Sequence, residues 1–279
     1  MEKIKPCLWY DNQAAEAAEF YCSLFGNSTV KSSNKLVTEF SIGGQEFLAL
    51  NGGPVFRFTP AISMFVTCED DSEIDALWER LLAGDSKILM PLDKYDWSEK
   101  YGWIADKYGL TWQIYKGKFS DVNSKITPCM LFSDARFGQA ESAVNFYASV
   151  FPGSEIEGIA FYPEGDPSTA GKVMHAQFKL SGKVFMAMDG PGEHNFGFNE
   201  AYSLVITCRD QQEIDYYWNK LTEGGEESMC GWLKDRFGVS WQVVPEVLAE
   251  LMNDPERAGR VTEAFLKMKK FEIGKLLEA

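Results

Sequence analysis

Residues 4–10 form a short apolar run of the kind that makes a buried strand. Ala14, Ala17, Ala18, Tyr21, Leu24 and Phe25 then fall at helical spacing over 13–25, and Gly26-Asn27 ends that helix. Residues 37–42 alternate as a strand, and Gly43-Gly44 turns the chain into a second strand over 45–50. Another apolar strand covers 62–68. Asp70-Asp71-Ser72 supplies an N-cap for a helix over 73–82, whose Ile74, Leu77, Trp78 and Leu81 share one face. A last strand, 111–115, follows the turn at Gly109. The predicted order is β-α-β-β-β with an extra helix before the final strand. Two helices cannot cover both faces of such a sheet, so one face is expected to carry helices and the other to curve around a cavity or partner.

The pattern then repeats. Lys3-Ile4-Lys5-Pro6-Cys7 returns as Lys125-Ile126-Thr127-Pro128-Cys129, and Phe20-Tyr21-Cys22-Ser23-Leu24-Phe25 as Phe146-Tyr147-Ala148-Ser149-Val150-Phe151. Phe40–Phe47 matches Phe178–Phe185, and Thr67-Cys68 with Trp78 matches Thr207-Cys208 with Trp218. Gly102-Trp103, Asp106, Gly109 and Trp112-Gln113 match Gly231-Trp232, Asp235, Gly238 and Trp241-Gln242. Ordered matches of Trp, Cys and Gly identify a duplicated module of about 120 residues. The expected fold class is α+β: modules at 1–120 and 125–245 with curved mixed sheets, joined near Ser120–Ser124, and a helical extension over 246–279. Within that tail, 246–252 and 256–277 read as helices that pack on the other module or on a partner in a homodimer.

Composition narrows the classes. The 279 residues carry 27 Lys and Arg against 41 Asp and Glu, a net charge of −14, which opposes sequence-independent binding to nucleic-acid phosphates. No apolar run approaches the ~20 residues that span a bilayer, and Met1–Pro6 leads into no signal-peptide core. No membrane or nucleic-acid partner is expected. The six cysteines lack any C-x-x-C spacing and read as reduced cytoplasmic thiols.

The duplicated module resembles the vicinal oxygen chelate superfamily, which includes glyoxalase I, extradiol dioxygenases and bleomycin-resistance proteins. Cys230-Gly231-Trp232-Leu233-Lys234-Asp235-Arg236-Phe237-Gly238-Val239-Ser240-Trp241-Gln242, Val173-Met174-His175-Ala176-Gln177-Phe178 and the Ala-rich helix ending in Phe-Tyr resemble its PhnB-like branch, often labelled 3-demethylubiquinone-9 3-methyltransferase. The first copy departs by an insertion around Asp85–Lys100 and by Tyr101 where the second has Cys230. The resemblance implies first-strand metal ligands near Lys5-Pro6 and Thr127-Pro128, where no strong donor stands. The last-strand Glu position is taken by Gln113 and Gln242, which are neutral and weak ligands. No metal and no cofactor are therefore expected. Methyl transfer finds no support either. The first strand leads into Asp11-Asn12-Gln13-Ala14, without the glycine-rich turn of a Rossmann-type S-adenosylmethionine site.

Of the two histidines, His194 lies in a turn-rich loop, whereas His175 shares a strand face with Gln177 and Lys179. A histidine there can serve as an acid or base near neutral pH, and a structurally bonded strand histidine is the plainer alternative. The expected catalytic candidate is His175, with Gln113, Gln177, Trp232 and Gln242 as ligand-binding residues; Gln177, Gln242 and Trp232 are expected to wall the His175 cavity. Cys7, Cys129, Cys68 and Cys208 read as buried small hydrophobes. The segments 162–171 and 93–99 are either lids or ordinary variable loops. The expected function is metal-independent binding of a small-molecule ligand in a sheet-lined cavity. The alternatives are a metal-dependent lyase, isomerase or dioxygenase, and a non-catalytic dimerisation scaffold.

Overall fold

The computed structural model describes residues 2–279. In chain order the elements are β1 (Ile4–Tyr10), α1 (Ala14–Leu24), β2 (Thr29–Ser33), β3 (Val37–Ile42), β4 (Gln45–Asn51), β5 (Ile62–Cys68), α2 (Asp71–Leu81), β6 (Lys87–Tyr95), β7 (Ser98–Ala105), β8 (Thr111–Lys116) and α3 (Phe119–Val122). The second half continues with β9 (Ile126–Phe132), α4 (Ala140–Val150), β10 (Glu155–Phe161), β11 (Val173–Leu180), β12 (Lys183–Asp189), β13 (Tyr202–Cys208), α5 (Gln211–Thr222), β14 (Glu226–Glu227), β15 (Trp232–Lys234) and β16 (Ser240–Pro245). The tail holds α6 (Val247–Asn253), α7 (Ala258–Phe265) and α8 (Ile273–Glu278). None of the described helices is long and apolar enough to cross a membrane. The fold class is α+β with mixed sheets, as the repeat implies.

The chain divides into two compact units, one from the residues up to Cys7 plus Tyr202–Ala279 and the other from Leu8–Ala201. The larger unit contains a complete eight-stranded sheet in the order β10-β11-β12-β9-β5-β8-β7-β6. Half of it comes from each repeat. The first repeat supplies β5 to β8, the second β9 to β12, and they join antiparallel with Val66 opposite Ile126, Phe65 opposite Thr127 and Ser63 opposite Cys129. The short linker carrying α3 brings β9 back beside β5, and the pairing satisfies backbone groups that an open edge would leave bare. The same unit packs α1 against β2, β3 and β4.

Helices lie against one face of the eight-stranded sheet. Helix α4 packs on β10, β11 and β12, and α2 on β5, β7 and β8. Met64, Val66, Trp112 and Ile114 are fully buried. Gly102 has no room for a side chain, because a Cβ there would come within 2.6 Å of the Trp78 ring.

The smaller unit orders its strands β14-β15-β16-β13-β1. Asp235 organises the turn before β16. Its Oδ1 accepts the Phe237 and Val239 N–H groups, and its Oδ2 accepts Trp241 Nε1–H at 2.8 Å. Asp106 does the same before β8, with Tyr108, Leu110 and Trp112 as donors. The repeated Asp, Gly and Trp of the sequence are thus one turn device used twice.

To the expected modules the structure adds β2, β6, β7, β10, β14 and β15; several of these are exposed edge strands with little apolar alternation to read. The segment 93–99 is the tip of the β6–β7 hairpin. Residues 256–277 are not one helix: α7 ends at Phe265, and the chain runs irregularly to α8. The interruption serves docking, for Cys230 N–H and Gly231 N–H donate to Met268 and Lys269 carbonyls, each at 2.7 Å.

Candidate functional site

Directly opposed residues on neighbouring strands share a sheet face. In the larger unit one such row runs Trp103, Gln113, Phe65, Thr127. The next runs Thr111, Ser63, Cys129, Met186, Gln177. His175 lies two residues from Gln177 and so projects to the same side. This site face is opposite the one bearing α2 and α4.

At its centre is a chain of hydrogen bonds. Tyr101 donates its phenolic O–H to Gln113 Oε1 at 2.8 Å, and Gln113 Nε2 donates to Ser63 Oγ at 2.6 Å. Both ends of the Gln113 amide are thereby engaged. Cys129 is wholly buried beside them, and burial pushes its thiol up to about 12 despite the neighbouring Gln113 amide. Phe65, Tyr101, Val122, Cys129, Val184 and Met186 pack together, flanked by half-buried Met90, Tyr95, Trp103, Tyr115 and Met188. Val122 reaches this face from α3, whose Asp121 carbonyl accepts Gln177 Nε2–H at 3.0 Å; the same nitrogen donates to Glu157. Burial holds the His175 imidazole below its ordinary pKa, which favours the neutral form.

The smaller unit repeats the polar centre in simpler form. Gln242 Nε2 donates to Ser203 Oγ at 2.9 Å. Burial raises the Cys7 thiol to about 11, against the pull of Gln242 and Ser203. Trp232 lies opposite Gln242, as Trp103 lies opposite Gln113. Cys230, Val205 and Val244 stand where the larger unit has Tyr101, Phe65 and Tyr115.

The sequence-based candidates are therefore divided. The larger unit's sheet brings Gln113, His175 and Gln177 onto one face. Gln242 and Trp232 belong to the smaller unit's sheet. Sequence reasoning missed Ser63 and Ser203, although each precedes its repeated Cys by the same step, at Cys68 and Cys208. In the sequence Tyr101 stands out only as a departure from Cys230, and its bond to Gln113 depends on the β7–β8 register.

Both amide atoms of Gln113 are engaged in hydrogen bonds, and the raised pKa of Cys129 disfavours its thiolate. Among the described residues no three His, Cys, Asp or Glu side chains form a group suited to a metal.

Comparison with known proteins agrees with the fold. A PhnB protein from Bacillus cereus is 38% identical over 40% of this chain and 98% of its own, with a TM-score of 0.38. Glyoxalase I from Zea mays is 10% identical, covers 90% of this chain and 96% of its own, and has a TM-score of 0.58, a likeness of fold. No curated protein matches. The family model described as 3-demethylubiquinone-9 3-methyltransferase matches residues 2–115 and again 124–244. With both repeats matched, the chain belongs to this family, and its fold is like that of glyoxalase I.

Proposed function

We propose that the chain binds a small organic molecule on the site face of its larger unit, without a metal ion, and that His175 is the acid–base group if the molecule is turned over. The observation that carries this reading is the Tyr101–Gln113–Ser63 chain set in a wall of aromatic and methionine side chains. Binding sites are characteristically apolar surfaces with a few fixed polar groups, and this face has that composition. The low pKa of His175 supports a base that is neutral at physiological pH. Methyl transfer is not part of the proposal, because β1 runs into α1 through Asp11, Asn12 and Gln13, without a glycine-rich turn.

The test is a thermal-shift screen across a metabolite panel, with and without EDTA. A ligand at a hundred times its Kd stabilises by about 2.7 kcal/mol, which moves the midpoint by several degrees. Hits that persist in EDTA and weaken in Gln113→Leu are expected. No hit, or hits that need an added divalent ion, would overturn the reading.

A further inference from the structure

Two polar atoms of the site face are buried and lack a hydrogen-bond partner: Trp103 Nε1 and Thr127 Oγ1. Thr127 is fully buried. Indole nitrogen only donates, and buried polar groups without partners are uncommon and costly. These two residues end one in-register row, with Gln113 and Phe65 between them. The middle of the row is already satisfied, since Gln113 is bonded to Tyr101 and Ser63. The polar demand therefore lies at the ends and the apolar surface at the centre.

That apolar surface suits a ring. The Phe65 and Tyr115 rings lie 5.4 Å apart, tilted by 39°, in a cluster that includes Met186 and against which Met90 and Met188 pack. Aromatic and thioether groups both favour contact with a π-system. Lys179, on the same face of β11, is already paired with Glu157 and Glu155, which disfavours an anionic ligand.

Resting on the binding reading above, we infer that the ligand of this face is an uncharged ring compound bearing an acceptor oxygen, and that Trp103 Nε1–H donates to that oxygen. Trp103 is thereby the residue that selects an oxygenated ring over a bare one. Thr127 supplies a second hydroxyl at the other end of the row.

The experiment is direct titration of the full chain, by calorimetry, with four probes: 2-acetylnaphthalene, 2-ethylnaphthalene, cyclohexyl methyl ketone and 2-naphthoate. The acetyl compound is expected to bind about three- to tenfold more tightly than the ethyl compound, the increment of one hydrogen bond. It is also expected to bind more tightly than the ringless ketone and the carboxylate. In Trp103→Phe the acetyl-to-ethyl ratio falls towards one, a readout that general loosening of the site does not produce. The wild-type series needs no variant, so the inference stays testable if Trp103→Phe fails to fold. Equal affinity for the acetyl and ethyl compounds, or a preference for the ringless ketone or the carboxylate, overturns this inference and leaves the binding reading standing. Absence of binding by all four probes overturns the ring-compound inference, while the metabolite screen separately decides the binding reading.

Discussion

Tyr101 and Gln113, on adjacent strands, are joined by a 2.8 Å hydrogen bond from the phenol to the amide oxygen, and this bond fixes which way the Gln113 amide points. With Oε1 held by Tyr101, Nε2 must face Ser63, and the polar centre of the site has one arrangement. Tyr101→Phe leaves a buried amide oxygen without its donor. A loss of about 1–3 kcal/mol is expected in urea unfolding, with ligand affinity reduced alongside. Unchanged stability would show that the amide finds another partner.

Asp106 sets a pH dependence. Burial raises its carboxyl to about 6, even though Trp112, Tyr108 and Leu110 donate to it. In the unfolded chain the pKa is about 3.9, so between roughly pH 4 and 6 the folded state holds more protons. Stability from this group is therefore full below pH 4 and is lost as pH rises through 6. Asp106→Asn should abolish that slope. It should also cost about 1–3 kcal/mol, because one amide N–H would meet the N–H of Trp112 or of the turn. Unfolding free energies measured at half-unit pH steps check both.

His175 acts in the opposite sense. Its folded-state pKa lies below the ordinary value of about 6.5. The unfolded chain then binds the extra proton first as pH falls, so this contribution to stability is present above about pH 6.5 and is lost as pH drops through the folded pKa. An NMR titration of the imidazole should give a midpoint below 6.5. A midpoint at or above 6.5 would remove the case for a neutral base.

Gly231 is the anchor of the tail. Its φ is +79°, and a Cβ there would lie 2.5 Å from the Phe271 ring and 2.7 Å from the Val243 carbonyl. Gly231→Ala should cost about 2–4 kcal/mol through backbone strain and overpacking. Limited proteolysis should cut first between α7 and α8. A tail that stays protected would show that the ring simply swings aside.

Gln211 clamps the same segment from the start of α5. Its Nε2 donates to the Phe271 carbonyl at 3.0 Å, and its Oε1 accepts Ile273 N–H at 2.9 Å. Gln211→Ala removes both bonds, for about 1–3 kcal/mol. Hydrogen exchange at the Ile273 amide should speed up while exchange in β16 does not. Equal acceleration everywhere would indicate a global effect.

The sequence by itself determined the duplication, the α+β class and the main helices and buried strands, because each rests on local periodicity or on residues that recur in order. It also marked Gln113 and Gln242 as equivalent and His175 and Gln177 as sharing a face, since strand alternation requires no partner strand. Asp106 and Trp112 were visible as a repeated pair, although their bond was not. The tertiary structure alone decided which residues meet. Pairing of β5 with β9 puts Gln113 of the first repeat beside Cys129 of the second, and on the face that carries His175. It leaves Gln242 and Trp232 in another sheet. Strand pairing depends on edges and registers far apart in the chain, and hydrophobic pattern does not specify which edge meets which. The exposed β6–β7 hairpin and the broken tail were illegible for a related reason: their stability comes from contacts with other elements, not from their own periodicity.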